Sequence, residues 1–119
     1  MNQVSMYVTK GAQEIFDLTF TESDGSPFNL TGFTIYMSMK AAADDDSPAL
    51  IEKDSTVVGE IDVVSAVGGT ATLTINPADT AGLATGQYWY DVWVSSSATV
   101  KKPLIKVSAF NITGRVTEI

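Results

Sequence analysis

The run Leu83-Ala84-Thr85-Gly86-Gln87-Tyr88-Trp89-Tyr90-Asp91-Val92-Trp93-Val94 decides the fold. Leu83, then Gly86, then Tyr88 opening an alternating segment, is the spacing of a tyrosine corner. In that device a Tyr at the start of a late strand of a β-sandwich hydrogen-bonds back to main chain a few residues upstream. Side chains alternate along a strand, so Tyr88, Tyr90, Val92 and Val94 share one face and Gln87, Trp89, Asp91 and Trp93 the other. A strand with one apolar face at a sheet crossover is expected at the centre of its sheet.

Working outward, Asn76-Pro77-Ala78-Asp79-Thr80-Ala81-Gly82 is the crossover that feeds this strand. Asn76 stands where an N-cap belongs and Pro77 at the first helical position, where the missing N–H leaves no bond unmade. One helical turn is expected there. Residues 60–64 and 70–75 form a hairpin around Gly68-Gly69, with Ala71, Leu73 and Ile75 inward. Residues 33–40 are the clearest period-two run: Phe33, Ile35, Met37 and Met39 alternate with Thr34, Tyr36, Ser38 and Lys40. Residues 4–9 and 14–20 also read as strands, the second placing Phe16, Leu18 and Phe20 opposite Asp17 and Thr19. Asp24-Gly25 with Pro27 marks the turn that follows. A short strand is expected over 50–53, and two closing strands over 100–107 and 109–116. Pro103 cannot donate to a ladder, so its segment belongs at an edge or a bulge. The sum is an all-β antiparallel sandwich of about seven to nine strands, with a short helical turn before the tyrosine-corner strand.

A chain of 119 residues suits a single domain, here expected over 1–119, and 45% hydrophobic residues are enough for one core. No segment approaches the roughly 18 consecutive apolar residues of a membrane helix, so no membrane partner is expected. The N-terminus lacks the basic region and apolar run of a secretory signal, so export by a signal peptide is not expected. A net charge of -7 opposes a phosphate backbone, which argues against nucleic acid as a partner. Lys101, Lys102 and Lys106 cluster in a presumed edge hairpin, where lysines protect against edge-to-edge pairing.

Without His or Cys the chain has no disulfide and lacks the common general bases, thiol nucleophiles and zinc ligands. Asp17, Asp62, Asp79 and Asp91 show no spacing that marks a catalytic pair, and no glycine-rich phosphate loop is present. No enzyme activity and no cofactor are expected. Asp79 is better read as an acceptor for backbone N–H groups in the crossover. Asp44-Asp45-Asp46, with Glu52 and Asp54 nearby, lacks the alternating ligands and glycine of a calcium loop, so it reads as a solvated acidic loop and no metal is expected.

Trp89 and Trp93 lie two pleats apart on one face with Asp91 between them, and Tyr36 joins them if the pairing register allows. Indoles on an outer sheet face mark a contact surface, unless loops or termini of the same chain cover them. The alternative reading is a carbohydrate-binding module in which these three rings stack on sugar.

Asn29-Leu30-Thr31-Gly32-Phe33-Thr34-Ile35 resembles the Leu-Thr-Gly approach to the third strand of small immunoglobulin-like domains in structural proteins of tailed bacteriophages. That group includes the N-terminal domain of baseplate upper proteins and short stand-alone virion proteins. Leu73-Thr74-Ile75-Asn76-Pro77-Ala78-Asp79-Thr80 with Leu83, Gly86, Tyr88, Tyr90 and Asp91 is similar to a passage of the same group, and residues 110–117 resemble its closing strand. The likeness runs in order over nearly the whole chain. Baseplate upper proteins are much longer, so the resemblance does not extend to their stalk and receptor-proximal parts. It implies an immunoglobulin-like sandwich without catalysis, a structural or connector protein of the tail, baseplate or neck of a phage or prophage particle. The implied partners are copies of itself or other virion structural proteins, and the implied location is the virion, after synthesis in the bacterial cytoplasm.

Overall fold

The computed structural model describes residues 4–44, 46–96 and 100–114. Eight strands run in the order β1 (Met6–Thr9), β2 (Glu14–Thr19), β3 (Phe33–Lys40), β4 (Ala49–Asp54), β5 (Ile61–Ser65), β6 (Thr70–Ile75), β7 (Gly86–Ser96) and β8 (Lys101–Thr113). One short helix, α1 (Pro77–Ala81), links β6 to β7. A five-stranded sheet in the order β1-β8-β7-β3-β4 faces a three-stranded sheet in the order β2-β6-β5. The second, sixth and fifth strands against the eighth, seventh, third and fourth is the immunoglobulin-like arrangement, with the chain crossing between layers after β1, β2, β4 and β6. β1 runs parallel to β8, and every other pairing is antiparallel.

Alternation built this core. Ile35, Met37 and Met39 of β3 and Tyr90, Val92 and Val94 of β7 are buried, and Ala71, Leu73 and Ile75 of β6 close on them from the other layer. Each large side chain so buried contributes about 1.5–3 kcal/mol relative to exposure. The crossover follows its sequence signals, since Pro77 opens α1 after Asn76. The Asp79 carboxylate accepts the Asn76 backbone N–H at 2.7 Å. The same carboxylate meets the Lys53 ammonium at 2.7 Å, and the lysine side chain is only 5% exposed. An edge strand of one layer is thereby tied to the crossover of the other.

The closing region differs from the sequence expectation of separate strands over 100–107 and 109–116. β8 is one strand, and its pairing with β7 shifts register between Tyr90 and Val92 and again between Val92 and Trp93. At each shift β8 carries an extra residue, so alternation fails: Leu104 and Ile105 are both buried, and Lys106 and Val107 are both exposed. Pro103 lies opposite Trp93 beside the second shift, where its missing N–H is tolerated. Residues 115 and 116 of the expected strand lie outside the described residues.

β1 is held by more than its ladder. Ser108 Oγ accepts the Val4 N–H at 3.0 Å, the Tyr90 hydroxyl donates to the Val4 carbonyl, and Asn111 Nδ2 donates to the Met6 carbonyl at 3.2 Å. At the β5–β6 hairpin, Gly69 has φ +69°, and a Cβ there would lie 2.6 Å from the carbonyl oxygens of both Phe20 and Phe28. Only glycine fits that crossing of three chain segments.

Candidate functional site

β3 and β7 lie side by side in the five-stranded sheet, with Tyr36 paired to Trp93, Ser38 to Asp91 and Lys40 to Trp89. The inward members of both strands fill the core, so these six residues form the outer face. Register thus sets Tyr36 directly opposite Trp93, where the two side chains are close neighbours. Tyr36 is 45% exposed and Trp93 40%, whereas Trp89 is half-buried. Among the described residues, both Tyr36 and Trp93 are left about two-fifths open to solvent.

Asp91, midway between the indoles, accepts the Trp93 indole N–H at 2.9 Å. That bond ties the ring back along its own strand and fixes its orientation. A groove beside it is lined by Tyr36, Ser38, Asp91, Trp93, Ser95 and Lys101. A second depression, around Trp89, is bounded by Lys40, Asp44 and Val107. Lys101 and Val107 enter this surface only because β8 lies beside β7, which local spacing does not show. Tyr7, 66% exposed, stands on β1 beside Asn111 of β8.

At the sandwich corner the Tyr88 hydroxyl donates to the Ala84 carbonyl at 2.6 Å, spanning the loop that enters β7. Leu83 is half-buried against the core, and Gly86 takes φ +146°. These three residues shape the support beneath the outer face and do not join it.

The acidic loop organises itself. Asp44 Oδ1 accepts the backbone N–H groups of Asp46 and Ser47 at 3.1 and 2.8 Å. The bonds from Ser47 hold the Asp44 carboxyl below the usual carboxylate range. Asp45 lies outside the described residues. Among the described residues no group of three acidic side chains is placed to hold a metal ion. No helix among them is long and apolar enough to cross a membrane.

No family model matches the chain. No curated protein matches it either. Among solved structures it is similar to murine CRIg, with 16% identity and a TM-score of 0.41 over 92% of each chain. At that distance the likeness carries no argument, and the fold assignment rests on strand order and register. The described residues form an immunoglobulin-like β-sandwich whose larger sheet carries an exposed aromatic face.

Proposed function

We propose that this chain is a structural or connector component of a tailed phage or prophage particle, in its tail, baseplate or neck. It works by protein–protein contact with copies of itself or with neighbouring virion proteins. The observation that carries the contact reading is the pairing of Tyr36 with Trp93, two partly exposed aromatic side chains on the middle strands of a sheet face. Large aromatic side chains so placed supply most of the free energy of many protein interfaces. The phage assignment is supported by the ordered resemblance of residues 29–35, 73–91 and 110–117 to small virion sandwiches.

Density-gradient purification of particles from the source strain, followed by peptide mass spectrometry, tests the assignment. The chain should band with the particles. Its complete retention among unassembled proteins would overturn the reading. Adding oligosaccharides to the purified domain addresses the carbohydrate alternative, since a saturable shift in tryptophan emission would favour sugar stacking over protein contact.

A further inference from the structure

The two flanks of the five-stranded sheet carry opposite charge. The three exposed lysines among the described residues, Lys101, Lys102 and Lys106, all lie on β8. Among the described residues β1 flanks β8 only from Phe110 to Thr113, and no described strand lies beside residues 101–106 on that side. A groove bounded by Glu22, Phe28, Lys102 and Pro103 runs along the start of this stretch. Glu22 comes no nearer than 3.9 Å to Lys102, and both side chains are about half exposed, so the pair is weak and exchangeable. On the far flank, β4 and its preceding turn present Asp44, Asp46 and Glu52 to solvent. The one lysine on that strand, Lys53, is buried against Asp79.

We propose that residues 101–106 of β8 and the β4 edge of a second copy of this chain join head to tail, continuing the five-stranded sheet from copy to copy. This rests on the reading above that the protein assembles with itself, and it names the surface. Strand directions permit it. β8 is antiparallel to β7, β7 to β3 and β3 to β4, so β8 and β4 run oppositely. A second copy in the same orientation, displaced along the sheet, therefore sets its β4 antiparallel to β8. With that copy also slid along the strands toward residue 101, so that its β4 clears Val4 beside Ser108, Glu52 and Asp54 approach the Lys101 end and the Asp44 turn approaches the Lys106 end. Opposite charges across a strand pair attract, whereas a two-fold contact would set lysines against lysines or acids against acids. The charge pattern thus excludes like edges and selects a heterologous contact, which closes into a ring or runs on as a filament.

Sedimentation velocity over a concentration series tests it, with Lys101→Glu and Glu52→Lys as variants and circular dichroism to verify folding. The wild-type protein should self-associate and do so more weakly at about 0.5 M salt. Each variant alone should associate about tenfold more weakly or less still. An equimolar mixture of the two should recover association, because each reversed edge then meets an opposite one. Lys101→Gln, which removes the charge without reversing it, should fall between. A wild-type protein that stays monomeric, or variants that associate as wild type does, overturns the proposal. Association indifferent to both reversals but abolished by Trp93→Ser would place the contact on the aromatic face, ending this inference and leaving the broader reading intact. Charge-matched co-assembly by a chain that never bands with particles would do the reverse.

Discussion

The indole N–H of Trp93 donates to the carboxylate of Asp91, two residues earlier on the same outward face of β7, at 2.9 Å. An exposed aromatic side chain usually loses rotamer freedom only when a partner arrives, and that loss weakens binding. Here part of the ordering is done in advance. In a Trp89→Phe background, where Trp93 is the sole indole, Asp91→Ala should lower the fluorescence anisotropy of Trp93. Folding stability should change by less than about 1 kcal/mol, because the bond lies at the surface. Unchanged anisotropy would mean that the carboxylate does not hold the ring.

Gly69 and Gly25 both have positive φ, at +69° and +89°, but their surroundings differ. A methyl group at position 25 meets nothing within 4 Å, whereas at position 69 it meets two carbonyl oxygens at 2.6 Å. Gly25→Ala should therefore cost only the conformational strain, about 1 kcal/mol. Gly69→Ala should cost about 3 kcal/mol or more, because main chain must move. Urea denaturation of the two variants side by side separates strain from collision.

The ion pair of Lys53 with Asp79 is asymmetric in burial, with the lysine side chain 5% exposed and the carboxylate 24%. Asp79→Ala strands an ammonium group inside the sandwich and removes the acceptor of the Asn76 N–H, so a loss of about 3 kcal/mol is expected. Lys53→Met leaves the better-solvated partner and should stay within about 1 kcal/mol of wild type. Thermal unfolding of both variants and of the double variant should show the methionine rescuing much of the Asp79→Ala defect.

Burial pushes the Tyr90 hydroxyl up to about 12 from its ordinary value of 10.0. The folded state therefore keeps this proton at a pH where the unfolded chain has begun to release it. The resulting stability is whole below pH 10.0 and declines as pH rises through about 12. Tyr90→Phe should lower stability at neutral pH, because the Val4 carbonyl loses its donor, and should flatten the alkaline decline. Chemical denaturation at a series of pH values between these limits measures both effects.

How much of this was legible from the sequence depends on whether a feature is written in neighbouring residues. The alternation of β3 and β7, the Pro77 helix start and the glycine hairpin are local, and each reads directly. β8 was legible only in part: it read as two strands parted at Ser108, because the two extra residues that let one strand run from Lys101 to Thr113 show only in its pairing with β7. The burial of Lys53 was invisible, since a lysine between Glu52 and Asp54 reads as surface until the crossover brings Asp79 over it. Tyr36 and Trp93 could be named as candidates, but their adjacency depends on the register between two strands far apart in the chain. Local pattern specifies elements; the meeting of elements is specified by the core as a whole.

The parallel course of β1 along β8 has a mechanical meaning. Met6 pairs with Phe110 and Thr9 with Thr113, so tension drawing Met6 outward in one direction and Thr113 in the other slides the two strands past each other lengthwise. Every rung of the ladder, with the Ser108 and Asn111 side-chain ties beside it, then bears the load at once instead of parting one after another. A module joined to its neighbours through these two strands would resist stretching far better than peeling.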